Sequence, residues 1–78
     1  VLAVELDVRE KADFERARDM LQAKWGGCDI LVNNAAGNFH CPTAELSPNG
    51  WKTVIDIDLT GTFYGCHAAY KHLKAARD

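Results

Sequence analysis

Two short apolar runs separated by a helical pattern constrain the fold of this 78-residue chain more than any other feature. Residues 1–8 and 29–32 contain β-branched side chains in short blocks, which is typical of strands buried on both faces of a sheet. Between them, apolar residues recur every three or four positions over Lys11–Trp25, and Gly26 and Gly27 then favour a helix end. Two buried strands joined through a whole helix run parallel, with a right-handed crossover. This order predicts a βαβ unit of a doubly wound or barrel-like α/β sheet.

A second helix is predicted after the loop that follows residues 29–32. Ser47 and Pro48 supply a capping hydroxyl and then proline at the first helical position. Gly61 and Gly65, each costing about 1 kcal/mol relative to alanine, are expected to let a neighbouring segment come close. Apolar side chains keep a spacing of three to four through to the end of the chain, which predicts one long helix with a buried face: Trp51, Val54, Ile55, Leu59, Phe63, Cys66, Tyr70 and Leu73.

Composition and charge exclude several classes of function. The chain is 47% hydrophobic and 26% charged with a net charge of -2, and it has no basic stripe of the kind that binds nucleic acid. No apolar run approaches the roughly 18 to 20 residues that a membrane span requires, so no membrane contact is predicted. Cys28, Cys41 and Cys66 are widely spaced, which favours reduced thiols and gives no expectation of a metal site.

The segment from Asn33 to Phe39 gives the first indication of function. It follows directly on residues 29–32, and it begins with two amides and then small side chains. Ligands of open α/β sheets bind at the carboxyl ends of strands, where small side chains let a nucleotide approach the backbone. Asp7 closes the first predicted strand in the same way. Both features also have a purely structural interpretation, since an acidic residue can simply end a strand and amides can satisfy loop groups.

Three features together resemble the short-chain dehydrogenase/reductase superfamily: Asp7, residues 33–37 (Asn-Asn-Ala-Ala-Gly), and residues 56–63 (Asp-Ile-Asp-Leu-Thr-Gly-Thr-Phe). Within it, Asn38-Phe39, Cys41-Pro42 and residues 46–51 are most similar to the 2,4-dienoyl-CoA reductases of the peroxisomal and bacterial kind. The resemblance implies that residues 1–78 are the central part of a single NAD(P)-binding Rossmann domain, incomplete at both ends. The expected fold is therefore of the α/β class, a βαβα fragment of a Rossmann-type doubly wound parallel sheet.

The resemblance also implies roles for individual residues. Most of the superfamily has asparagine where Asp58 stands, holding a water in a proton relay, whereas the peroxisomal-type reductases have aspartate. Asp58 is thus the expected catalytic residue, partly desolvated at a helix irregularity, where it would orient or protonate a water. The expected cofactor-binding residues are Asp7, Val8, Asn34, Ala35, Ala36 and Gly37. The expected substrate-binding residues are Arg9, which resembles an arginine that meets coenzyme A phosphates, and Phe39, Ser47, Pro48 and Asn49.

The activity implied for the parent protein is NADPH-dependent reduction of 2,4-dienoyl-CoA to 3-enoyl-CoA in the β-oxidation of unsaturated fatty acids, with NADH left open. The alternatives are another member of the superfamily, such as a 3-oxoacyl reductase or a sugar or alcohol dehydrogenase, and a non-catalytic interaction fragment. The 78 residues alone are expected to be inactive. The parent is expected to bind an acyl-CoA thioester, to form a homo-oligomer (tetramer or dimer), and to be cytoplasmic if bacterial or peroxisomal if eukaryotic.

Overall fold

Helices account for the regular structure of residues 1–76, the part of the chain that the computed structural model describes. The helices over Lys11–Trp25 and Gly61–Ala75 pack against each other, with the rings of Phe14 and Tyr64 edge to face at 6.4 Å. None of the helices in this part of the chain combines the length and the hydropathy that a membrane span needs. In chain order the elements are α1 (Lys11–Trp25), a 3-10 turn (Thr43–Glu45), α2 (Pro48–Ile55), a π-helical turn (Asp56–Thr60) and α3 (Gly61–Ala75).

Helix α1 has the predicted bounds and the predicted end. Its half-buried residues include Phe14, Ala17 and Leu21, which lie on the predicted apolar stripe. Gly26 stops the helix in the left-handed region at φ 81°, and its N–H donates to the Gln22 carbonyl at 3.0 Å. The capping prediction at Gly26 is therefore confirmed.

The second predicted helix also begins where the sequence signal lies. The Oγ of Ser47 accepts a hydrogen bond from the Gly50 N–H at 2.9 Å, and Pro48 is the first helical residue. Asp56 and Gly61 keep right-handed helical angles, so α2, the π-helical turn and α3 form one continuous helical run. The single long helix is thus confirmed, with one feature that the spacing did not predict: the wider turn at its middle.

The buried face of this long helix is not the predicted one. Several residues of the predicted stripe are mostly exposed: Trp51 at 60%, Leu59 at 65%, Phe63 at 60% and Tyr70 at 59%. The buried residues of α3 are instead the small ones, Gly61, Gly65 and Ala69.

Close approach explains this difference. A Cβ on Gly61 would lie 3.0 Å from both the Cβ and the carbonyl oxygen of Val8, and one on Gly65 would lie 2.6 Å from Asn33 Oδ1. The glycines therefore let the chain that precedes α1 and the chain that precedes α2 come into contact with α3, as expected from their positions.

Residues 1–8, the first segment, and residues 29–32, the second segment, are the two predicted strands. Neither is assigned as a strand within residues 1–76, so the βαβα arrangement is not confirmed. In the first segment Leu2, Val4 and Leu6 are half-buried while the residues between them are exposed, the alternation of an extended chain.

Burial of both segments on two faces is likewise not confirmed within residues 1–76. In the second segment Ile30 is 81% exposed and Val32 is 77% exposed. A strand takes its backbone hydrogen bonds from an adjacent strand, and within residues 1–76 neither segment has one beside it. Within residues 1–76 helices pack against one side of the two segments, and the side that carries Ile30 and Val32 is exposed to solvent.

Candidate functional site

A cleft of about 240 Å³ separates the two segments and ends at the start of α3. Pockets that hold a whole small ligand measure roughly 300–1,000 Å³, so this cleft has room for only part of a dinucleotide. Its walls are mostly apolar, and its polar side chains are those of Asn33 and Asn34, just after the second segment, and of Thr62 on α3. The lining residues are Leu6, Val8, Phe14, Leu31, Val32, Asn33, Asn34, Ala35, Ile57, Gly61 and Thr62.

Asp7 and Arg9 form a closed ion pair at the end of the first segment. The Nε and backbone N–H of Arg9 donate to Asp7 Oδ1 at 3.0 and 2.9 Å, and Nη2 donates to Oδ2 at 2.8 Å. The Asp7 N–H is held by Asp13 Oδ2 at 2.9 Å, which fixes the turn onto α1. Because the Arg9 side chain and then its backbone N–H favour the charged carboxylate, the pKa of Asp7 is lowered to about 2.

The loop after the second segment is held at two points by α3 and the π-helical turn. Asn33 Nδ2 donates to Cys66 Sγ at 3.6 Å. The Gly37 N–H donates to Asp58 Oδ1 at 2.8 Å. Between these two points Asn34, Ala35 and Ala36 are exposed. The loop therefore presents an amide and two methyl groups while its ends are fixed, an arrangement that suits a ligand lying along the backbone.

Asp58 lies on the π-helical turn, so the helix irregularity expected at this residue is present. Its backbone carbonyl accepts from Thr62 Oγ1 at 2.9 Å, and within residues 1–76 no hydrogen bond reaches Oδ2. Among residues 1–76 the turn places Asp58 at the surface, so the partial desolvation expected of it stays a prediction for the parent. One carboxylate oxygen thus positions the loop, and the other can accept a hydrogen bond from water or a ligand.

A second depression, the hollow, lies between the 3-10 turn and the start of α2, with a volume of about 370 Å³. Phe39, Ser47 and Asn49, three of the expected substrate-binding residues, line it. Gly50 is buried beneath it, where a Cβ would lie 3.1 Å from Leu46 Cδ1 and 3.6 Å from Phe39 Cε2. The remaining lining residues are His40, Cys41, Glu45, Leu46 and Thr53.

The structure groups the predicted site residues into three sets. Val8, Asn34 and Ala35 line the cleft, and Gly37 is bonded to Asp58 at one end of it. Asp7 is bonded to Arg9, which brings an expected cofactor ligand and an expected substrate ligand into one ion pair. Phe39, Ser47 and Asn49 share the hollow, while Pro48 begins α2 and does not line it.

Sequence reasoning missed other residues that line these two places. Ile57 and Thr62 contribute to the cleft, and Thr62 lies four positions after Asp58, a helical spacing that could have indicated it. Gly50 and Thr53 contribute to the hollow, and nothing in their spacing indicates a ligand. Among residues 1–76, no three His, Cys, Asp or Glu side chains lie together as metal ligands would.

Comparisons with known proteins agree with the resemblance. The family described as Enoyl-(Acyl carrier protein) reductase matches residues 1–77. The chain is 51% identical over 73 residues to a peroxisomal, (3E)-enoyl-CoA-producing 2,4-dienoyl-CoA reductase of Arabidopsis thaliana, covering 94% of this chain and 24% of that protein. It is 47% identical to a probable, (2E)-enoyl-CoA-producing 2,4-dienoyl-CoA reductase of Bacillus subtilis, covering 92% and 28%. The chain thus spans about a quarter of the length of these relatives.

Solved structures that resemble this chain include members of the same superfamily. A short chain dehydrogenase from Bacillus anthracis is 50% identical and superposes with a TM-score of 0.86, over 90% of this chain and 29% of that one. An aldohexose dehydrogenase from Thermoplasma acidophilum is 27% identical with a TM-score of 0.90, over 96% and 29%. The course of the chain is therefore that of these Rossmann-fold proteins, although no strand is assigned within residues 1–76. The chain belongs to the short-chain dehydrogenase/reductase superfamily, a family of NAD(P)-dependent oxidoreductases.

Proposed function

We propose that the parent protein is an NADPH-dependent reductase of 2,4-dienoyl-CoA thioesters and that residues 1–78 are the central part of its single Rossmann domain. The observation that carries this proposal is the bond from the Gly37 N–H to Asp58 Oδ1. It joins the loop expected to contact the cofactor to the carboxylate expected to move a proton. The high identity to two proteins named 2,4-dienoyl-CoA reductases supports the choice of substrate.

The rest of the parent would complete the sheet. The first and second segments leave their backbone edges unpaired and expose Ile30 and Val32, so strands on either side of them would satisfy both needs. This argues against a free-standing interaction fragment, because such a fragment would keep an open apolar surface in water. It also explains why the 78 residues alone are expected to lack reductase activity.

NADPH would bind at the carboxyl ends of the two segments. Asp7 would accept a hydrogen bond from the exocyclic amine of adenine, with Val8 beside the ring. Asn34, Ala35, Ala36 and Gly37 would contact the cofactor through the main chain, which their exposure and small size allow. The bound cofactor supplies a hydride. The residues of this chain would position the substrate and hold the proton that it receives.

Asp58 would assist the protonation of the substrate. Its Oδ1 is held by Gly37, and its free Oδ2 would orient a water that protonates the substrate. Hydride added to the distal carbon of the diene and a proton added next to the thioester carbonyl reduce the diene by two electrons and leave a 3-enoyl-CoA. The hollow would bind the acyl-CoA through Phe39, Ser47, Pro48 and Asn49, while Arg9 would bind the coenzyme A phosphates.

Two alternatives rest on specific observations. The name of the Bacillus subtilis relative records a (2E)-enoyl product, which requires the proton to be added farther from the carbonyl. The matching family is described by an enoyl-(acyl carrier protein) substrate, which leaves a reductase of a different acyl thioester as the second candidate. The position of the double bond in the product separates the first alternative from our proposal, and substrate preference separates the second.

The test is an assay of the purified full-length parent with matched acyl chains. Consumption of NADPH and of NADH is followed with 2,4-dienoyl, 2-enoyl and 3-oxoacyl thioesters of coenzyme A, and the product is identified by chromatography against 2-enoyl and 3-enoyl standards. We expect the dienoyl substrate with NADPH to give the highest kcat/KM and a 3-enoyl product. Preference for the 3-oxoacyl or 2-enoyl substrate would overturn the proposal.

Two further expectations concern the parent as a whole. Leu59 on the π-helical turn and Phe63 and Tyr70 on α3 are exposed. An apolar helix face of this kind suits a homo-oligomer, which light scattering of the parent would detect. The relatives include peroxisomal and bacterial proteins, so we propose a peroxisomal location in a eukaryote and a cytoplasmic one in a bacterium.

A further inference from the structure

The two residues proposed for different ligands are bonded to each other. Arg9 donates through Nε to Asp7 Oδ1 at 3.0 Å and through Nη2 to Oδ2 at 2.8 Å. The carboxylate proposed for adenine thus already accepts two side-chain hydrogen bonds. The guanidinium proposed for the coenzyme A phosphates likewise has one of its two-nitrogen edges in use. Neither residue can bind its ligand fully while the pair stays closed.

We propose that the Asp7–Arg9 pair couples the two binding events, so that the adenine of the cofactor and the phosphates of coenzyme A each open the pair for the other. This inference rests on the proposed function, since it needs both nucleotide ligands. When Arg9 turns to a phosphate, two lone pairs of Asp7 become free for the adenine amine. When adenine takes Asp7, the guanidinium gains a free edge for bidentate binding of phosphate.

The geometry allows the pair to open without loss of the turn. The backbone N–H of Arg9 donates to Asp7 Oδ1 at 2.9 Å, and this bond does not depend on the position of the guanidinium. The Asp7 N–H stays on Asp13 Oδ2 at 2.9 Å. Both side chains of the pair are well exposed, 48% for Arg9 and 40% for Asp7, so the guanidinium has space to turn. The carboxylate therefore keeps its place when Arg9 leaves.

The other charges near Arg9 also favour its return when no phosphate is bound. The hydrogen bonds and charge of Asp7 raise the pKa of Arg9, and the charges of Glu10 and Asp56 raise it to a smaller extent. Asp56 is itself paired with Lys52 at 2.6 Å between Nζ and Oδ2. A phosphate that carries two charges would therefore compete with the Asp7 carboxylate for the Arg9 guanidinium.

The size of the coupling follows from the strength of an exposed ion pair. Such pairs contribute little in water, which corresponds to a coupling of about two- to fivefold between the two ligands. Linkage makes the effect reciprocal, so the same factor applies to cofactor binding in the presence of coenzyme A and to coenzyme A binding in the presence of cofactor.

The experiment is a calorimetric binding cycle with the full-length parent, NADP⁺ and free coenzyme A, a pair that cannot react. We expect each ligand to lower the Kd of the other by about two- to fivefold. In Arg9→Gln, coenzyme A should bind more weakly, and NADP⁺ alone should bind as tightly as it does to the wild-type protein saturated with coenzyme A. The coupling factor should fall to one. A merely structural role for Arg9 would weaken NADP⁺ binding instead.

Arg18→Gln is the matched control, because Arg18 pairs with a neighbouring aspartate, Asp19, at 3.2 Å and is 38% exposed. It should leave the coupling unchanged. Two results would overturn the inference while leaving the proposed function intact: both ligands binding independently to the wild-type protein, or coupling that persists in Arg9→Gln. Failure of coenzyme A to bind at all, together with no turnover of dienoyl-CoA, would overturn both.

Discussion

The cleft and the hollow differ in the length of chain that their contacts span. At the cleft, the bonds from Gly37 to Asp58 and from Asn33 to Cys66 join residues 21 and 33 positions apart. At the hollow, Ser47 bonds to Gly50, three positions away. The cleft therefore forms only when the chain has packed around α3, whereas the start of α2 beside the hollow is held by bonds within one turn of helix.

This difference predicts different responses to substitution. A change at the cleft should alter the position of a loop and of any ligand on it, because one bond holds two distant parts of the chain. A change at the hollow should lower the stability of one helix end and the affinity for the acyl-CoA proposed to bind there, and it should leave cofactor binding unchanged. Measurements of kcat, of the Kd of NADPH and of the free energy of unfolding therefore separate the two regions.

The largest effect is expected at Asp58. In the full-length parent, Asp58→Asn keeps an oxygen acceptor for the Gly37 N–H but removes a carboxylate that can hold or deliver a proton. General acid–base groups contribute roughly 10²–10⁴-fold, so kcat for the dienoyl substrate should fall by at least about 100-fold. The Kd of NADPH should stay the same. Steady-state kinetics and a direct binding titration measure both quantities.

Two companion variants make the Asp58 test decisive. Asp58→Ala also removes the bond to Gly37, so it should weaken NADPH binding in addition to lowering kcat. Asp56→Asn changes the neighbouring carboxylate of the same π-helical turn, which is paired with Lys52, and should leave kcat unchanged. If Asp58→Asn keeps wild-type kcat, Asp58 only positions the loop.

Gly61 tests how closely the first segment approaches α3. In Gly61→Val the new side chain meets the carbonyl oxygen and Cβ of Val8, atoms that cannot move without shifting the backbone. Overpacking of this kind costs about 1–3 kcal/mol, and chemical unfolding of the full-length parent should show a loss near the upper value. Lys71→Val, an exposed site on the same helix, measures the intrinsic cost of a β-branched residue and should lose much less. If Gly61→Val and Lys71→Val lose the same free energy of unfolding, Val8 leaves room for a side chain at position 61.

The helix ends could be predicted from sequence because their causes are local. Gly26 adopts the left-handed conformation that glycine favours, and Ser47 caps the backbone N–H three residues ahead of it. The strands could not be predicted with the same success, because a strand depends on a partner that its own residues do not specify. The buried face of α3 was predicted from the spacing of apolar side chains, yet close contact with two segments requires glycine on the buried face instead.

The candidate site shows the same limit. Asp7 and Arg9 lie two positions apart on one turn, so their ion pair could have been predicted from the sequence. The bond between Gly37 and Asp58 could not, since no periodicity relates residues 21 positions apart. The π-helical turn beneath Asp58 also has no simple sequence signal. Asp58 was identified from the resemblance to a family, and the structure shows that its carboxylate holds the loop at Gly37.

At the hollow, the corresponding test is Ser47→Ala. It removes the hydroxyl that accepts from the Gly50 N–H at 2.9 Å and should cost the parent about 1 kcal/mol of unfolding free energy. Ser47→Asn, which restores a capping oxygen, should recover most of this loss. NADPH binding should not change in either variant, because the cap lies apart from the cleft. A change in NADPH affinity as large as that of Asp58→Ala would contradict the separation of the two regions.

The smallest effect concerns the ion pair at the end of the first segment, and it depends on pH. The pKa of Asp7 is lowered from 3.8 to about 2 by the hydrogen bonds of Arg9, so the folded state favours the charged carboxylate. The stabilisation is therefore complete above pH 3.8 and is lost as the pH falls towards about 2. The free energy of unfolding of the wild-type parent should exceed that of Asp7→Asn by a constant amount at pH 5 and above, and the two should converge between pH 4 and pH 2. Since both side chains are well exposed, 1 M salt should reduce the difference.

If the wild-type parent and Asp7→Asn differ in unfolding free energy by the same amount at pH 2 and at pH 5, the charge of Asp7 contributes nothing. Only its backbone bonds would then hold the turn.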